Sequence, residues 1–102
     1  MARLDTLLNF LKDDPSDVFT RYAIGLEYVK INDSKKATTY FEQVIEYDPT
    51  YAPAYHQLGL LLIKLKKKDD AREILRRGIE AARQGGDGHA AMEMQETLEE
   101  LR

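Results

Sequence analysis

Ile24-Gly25-Leu26-Glu27-Tyr28-Val29-Lys30-Ile31 returns 34 residues later as Leu58-Gly59-Leu60-Leu61-Leu62-Ile63-Lys64-Leu65. Glycine, leucine and lysine coincide at that offset, and aliphatic residues exchange for one another between them, as Ile24 for Leu58 and Val29 for Ile63. The same shift carries Ala37 onto Ala71, Ile45 onto Ile79, Glu46 onto Glu80 and Phe41 onto Leu75, and it carries Asp14-Pro15 onto Asp48-Pro49. A fixed period of this length marks a protein built from stacked, similar units. Glycine inside a helix costs roughly 1 kcal/mol relative to alanine, so Gly25 and Gly59 at matching mid-segment positions predict close helix contact there.

Working outward, the apolar residues recur at helical spacing, with Val18, Tyr22, Leu26 and Val29 on one line and Ile24, Tyr28 and Ile31 beside it. A first repeat helix is expected from about Asp17 to Lys30, broken at Ile31-Asn32-Asp33-Ser34, where polar side chains can cap the next helix. That second helix buries Ala37, Tyr40, Phe41, Val44 and Ile45 and ends before Pro49, which cannot donate the next backbone hydrogen bond. Thr50 is the expected cap of the third helix, with Pro53 in its first turn, and that helix runs to about Leu65. Asp69 or Asp70 is expected to cap the fourth, which stops near Gln84 at Gly85-Gly86-Asp87-Gly88. Asp87 then caps a short last helix whose stripe of Ala91, Met94, Leu98 and Leu101 suits the closing element of a stack.

Composition narrows the function. At 102 residues the chain has the size of one domain, and its 43% hydrophobic and 32% charged content fits a folded protein with a charged exterior. Fifteen Lys+Arg against eighteen Asp+Glu leave a net charge of -3, which turns the whole-chain field away from nucleic acid and anionic membrane. The absence of cysteine removes disulfides, thiolate catalysis and thiolate-bound metal, and fits a reducing compartment. Asp5 interrupts any secretory signal near the start, and no apolar run approaches a membrane span, so a cytoplasmic location is expected.

These positions resemble the tetratricopeptide repeat, a 34-residue helix-turn-helix. Gly25 and Gly59 match its small first-helix residue, Ala37 and Ala71 its second-helix alanine, Tyr28 and Phe41 its aromatics, and Pro49 its closing proline. The second unit departs from the pattern with Leu62, Leu75 and Arg83 at the tyrosine, phenylalanine and proline positions. The resemblance implies an all-α protein of antiparallel hairpins stacked as a right-handed superhelix. Residues 1–17 would form a partial repeat, 18–51 and 52–85 two full repeats, and 86–102 a C-terminal capping helix.

It also implies a function, that of a scaffold binding a protein or peptide along a concave groove lined by first helices. Position by position that groove would present Phe19, Tyr22, Ala23, Leu26, Val29 and Lys30, then His56, Gln57, Leu60, Ile63 and Lys64, the two lysines drawing an acidic group. The alternative is that terminal helices cover part of this face. One subfamily clamps a C-terminal carboxylate with lysines and asparagines, but Tyr22, Leu26 and Gln57 stand at those places here, which does not support that function. Burying about 400 Å² of apolar groove returns about 10 kcal/mol, comparable with the roughly 4–15 kcal/mol that association costs, so two repeats should bind weakly. A self-associating structural protein using the groove or an exposed end is the alternative function.

Other signals read as structure. Lys64, Lys66, Lys67 and Lys68, with Arg72, Arg76 and Arg77, read as a solvated helix end and not as a nucleic-acid site. His56 and His89 lie in different helices without a metal-ligand motif, and no metal or cofactor is expected. The glycine run lacks the lysine of a phosphate loop, and no carboxylate pair stands out as acid and base, so an enzyme is not expected.

Overall fold

The computed structural model describes residues 3–101, and all regular structure among them is helical. Six helices follow one another: α1 (Arg3–Asp13), α2 (Val18–Lys30), α3 (Ser34–Tyr47), α4 (Ala52–Lys64), α5 (Lys68–Gln84) and α6 (Gly88–Glu99). Within the chain, α1 packs on α2 and α2 on α3, and farther along α4 packs on α5 and α5 on α6, each pair joined by a short turn and running antiparallel. The chain divides into two compact units on either side of the Asp48–Pro49 bond.

In the first unit the α2 start is fixed by Asp17, whose Oδ1 accepts the Phe19 N–H at 3.2 Å while Oδ2 accepts the Thr20 hydroxyl at 2.6 Å. The helix stops when Asn32 enters the left-handed region at φ 65°, letting the Asp33 N–H reach back to the Tyr28 carbonyl at 2.9 Å. Asp33 then caps α3 through the Lys36 N–H. The α2–α3 crossing lies at Gly25: a Cβ there would stand 2.5 Å from Cε1 of the fully buried Phe41. The mid-helix glycine therefore exists to admit a ring. Tyr28 and Tyr40 stack at 5.7 Å beside it, and α1 lays Leu7 against α2.

In the second unit Leu75 takes the place of Phe41, and a Cβ on Gly59 would stand 2.7 Å from its Cδ2. The turn after α4 repeats the turn after α2, with Lys66 at φ 65° and the Lys67 N–H bonded to the Leu62 carbonyl at 2.8 Å. Farther along α5, Gly78 passes between two other helices, so that a Cβ would meet Tyr55 Cβ at 2.5 Å and Met94 Sδ at 2.6 Å. Ala91 and Met94 of α6 are buried, as is Leu101 just beyond its end, while Leu98 of the expected stripe is half-buried. Gly86, at φ 74°, ends α5, and Asp87 caps α6 by accepting the Ala90 N–H at 3.0 Å.

Two caps differ from expectation. Helix α4 starts at Ala52 with Tyr51 as its N-cap and no side-chain cap bond, so Thr50 lies outside the helix. The reason is Pro53, which removes one of the N–H groups a capping side chain would bond. Helix α5 is capped by Lys67 and not by Asp69 or Asp70, because the left-handed Lys66 turns the chain directly into the helix. The two aspartates sit in its first turn instead, where their charge complements the helix dipole.

Candidate functional site

Each unit offers one first-helix face. On α2, Phe19 is 68% exposed in the first turn, and Leu26 and Val29 are partly exposed farther along. Tyr22 belongs partly to the core, its ring centroid 5.6 Å from that of Phe41, and Ala23 is buried and offers no contact surface. Lys30 does not stand alone at the rim. Its Nζ lies 3.4 Å from Glu27 Oε2, and the same oxygen accepts Arg3 Nε of α1 at 3.2 Å. Glu27 thus holds two cations, an arrangement the sequence reading passed over although the i,i+3 spacing of Glu27 and Lys30 signalled half of it.

On α4, Leu60 is 43% exposed, Gln57 and Ile63 are partly exposed, and Lys64 is exposed. His56 is tied to the final helix, its Nε2 lying 3.2 Å from Thr97 Oγ1. Helix α6 therefore covers the α4 face at His56, and Leu60 lies beyond that contact. The expected residues fall into these two groups, one in each unit.

Sequence reading also missed a polar centre in the first unit. Arg21 Nη1 donates to Gln43 Oε1 at 3.0 Å and Nη2 to the Pro15 carbonyl at 2.6 Å, while its guanidinium lies 4.7 Å from the Tyr47 ring centroid. These contacts join α3 and the α1–α2 turn to α2. Beside them lies an open cleft of about 720 Å³ whose lining includes Leu8, Leu11 and Lys12 of α1, Pro15, Arg21 and Tyr40. No local motif predicts it, because its walls come from three helices.

Several cations of the basic stretch have structural partners. Arg72 bonds Asp69 Oδ1 at 2.7 Å and the Leu101 carbonyl at 2.9 Å, and the Arg77 guanidinium lies 5.6 Å from the Tyr55 ring centroid. His89 and Glu93 form an exposed pair at 3.3 Å. Among the described residues no group of three or more histidines and carboxylates could hold a metal ion, and no helix is long and apolar enough to cross a membrane.

Comparison with known proteins places these features in context. A family model described as "Tetratricopeptide repeat" matches residues 32–94. The chain is 24% identical over 98 residues to the TPR repeat-containing protein PA0015 of Pseudomonas aeruginosa, covering 96% of this chain and 93% of that protein. It is 37% identical to a tetratricopeptide repeat domain protein from Salinibacter ruber solved by solution NMR, with a TM-score of 0.82 over 87% of this chain and 90% of the other. The TPR2B domain of yeast Sti1, solved as a complex with pHsp70, superposes with a TM-score of 0.90 over 96% of this chain and 78% of that one, at 19% identity. That last likeness concerns the fold alone.

Proposed function

Because the chain belongs to the tetratricopeptide-repeat family, whose domains are generally protein–protein interaction modules, we propose that it holds a peptide or segment of a partner protein against the exposed first-helix faces of α2 and α4. The observation that carries this reading is the exposure of Phe19 and Leu60, at 68% and 43%, on helices whose other faces are packed. Large apolar side chains held in water on rigid helices are suited to seating apolar residues of another chain. Leu26, Val29, Gln57 and Ile63 would extend the contact, and Lys30 and Lys64 would supply positive charge at the helix ends. The same reading divides the chain into a partial repeat at 1–17, repeats at 18–51 and 52–85, and a capping helix at 86–102.

The partner in this reading is protein, since the net charge of -3 favours neither nucleic acid nor an anionic membrane. The protein acts by holding its partner and carries out no catalysis. The yeast Sti1 domain, solved with pHsp70, supports only the general point that this fold accommodates a protein partner. Affinity for an isolated short segment should be weak, because the exposed apolar surface is small and association is costly.

The experiment compares proteins captured from a native extract by the wild type and by a Phe19→Ala/Leu60→Ala double variant. The expected result is a set of partners held by the wild type and lost by a double variant that retains its helical circular dichroism. Equal capture of the same partners by both proteins would show that these faces do not carry the interaction.

A further inference from the structure

The cleft beside α1 has a property that the repeat pattern does not require. Asp5, Leu8, Asn9 and Lys12 follow one another at i, i+3, i+4 and i+7, so they share one side of α1, and all four line the cleft. The acid stands in the first turn and the base in the last turn, about 10 Å apart along the axis. Leu8 and Leu11 form an apolar floor, with Pro15, Arg21 and Tyr40 completing the walls.

An acid at one end of a helix face and a base at the other is self-complementary under a two-fold axis. In an antiparallel pairing centred between Leu8 and Asn9, Asp5 of each copy comes opposite Lys12 of the other, and each Leu8 meets the second copy's central residues. We propose that this cleft is an isologous docking site for a second copy of the chain, two α1 helices lying antiparallel with each filling the cleft beside the other. Charge complementarity selects a second copy: an occupant must carry opposite charges at this spacing on either side of a centre made by one leucine and one asparagine, and α1 itself carries them. A two-fold pairing also closes on itself, so the product is a dimer and not a filament. The surface is distinct from the Phe19 and Leu60 faces, so this inference goes beyond the partner-binding reading.

The pairing uses one short helix face per copy, at the small end of protein interfaces, and its dissociation constant should be on the order of 0.1 mM. Sedimentation equilibrium of the full chain from about 10 µM to about 1 mM should show a monomer–dimer equilibrium that weakens as salt is raised. Asp5→Lys and Lys12→Asp, each alone, should weaken self-association by about tenfold or more, because like charges then meet across the axis. Mixed in equal amounts, the two variants should form a heterodimer, since every facing pair is again of opposite sign. Phe10→Ser, on another side of α1 where Phe10 is 58% exposed, should leave the dimer unchanged.

Circular dichroism establishes that each variant is folded. Should a charge reversal unfold the chain, Asp5→Asn and Lys12→Gln replace it and should weaken the dimer severalfold. A wild type that stays monomeric to about 1 mM overturns the proposal. So does a folded reversal variant that dimerises as well as the wild type, a mixture that fails to form the heterodimer, or a dimer dissolved by Phe10→Ser.

Discussion

Phe41 occupies the space that a side chain at Gly25 would need, its Cε1 lying 2.5 Å from where a Cβ would stand. Gly25→Ala gains helix propensity but forces a fully buried ring to move, and overpacking of this kind costs about 1–3 kcal/mol. Urea denaturation should show a lower midpoint with an unchanged slope. Gly88→Ala, with nothing within 4 Å of the added carbon, should instead raise stability by about 0.4–1 kcal/mol.

Gly78→Ala should be the more damaging glycine substitution. Its Cβ meets Tyr55 Cβ at 2.5 Å, an atom next to the backbone that cannot rotate away, together with Met94 Sδ at 2.6 Å. A loss of about 3 kcal/mol or more is expected, and hydrogen exchange should show α6 losing protection, since Met94 anchors that helix. Unchanged exchange in α6 would show that Met94 yields without cost.

Lys66→Gly should stabilise the protein. A lysine at φ 65° bears the steric cost of the left-handed region, about 1–2 kcal/mol, against which glycine's greater freedom in the unfolded chain sets about 0.4–1 kcal/mol. A net gain of about 0.5–1 kcal/mol in thermal or urea unfolding is expected. Asn32→Gly at the matching turn should gain less, because asparagine tolerates this conformation better.

Tyr22 and Phe19 should separate in stability although both lie on the α2 face. Tyr22→Ala removes a ring packed 5.6 Å from Phe41 and should cost about 2–3 kcal/mol, whereas Phe19→Ala, at an exposed position, should cost less than about 0.5 kcal/mol. Equal losses in denaturation would contradict the assignment of Tyr22 to the core.

Arg72→Leu should loosen the end of α6. The substitution removes the bond to the Leu101 carbonyl and the pair with Asp69, and partial exposure of the guanidinium limits the cost to about 1 kcal/mol. Faster amide exchange in the last turn of α6, with α2 unaffected, is the expected signature.

The order of residues by itself determined the period, the helices and most of their ends. Gly25 and Gly59 announced close crossings, Asp33 and Asp87 announced caps, and Pro49 closed α3, because these effects act through repeated spacing or within about one turn of helix. It misread the starts of α4 and α5, where Pro53 and the left-handed Lys66 competed with the nearest capping side chains. Only the tertiary structure decided which candidate contact residues stand in water and which serve the core. Tyr22 against Phe41, Arg21 on Gln43 and His56 on Thr97 depend on partners 19, 22 and 41 residues away. Such pairings follow from how helices pack, and helical periodicity names the face a residue occupies without naming what lies opposite.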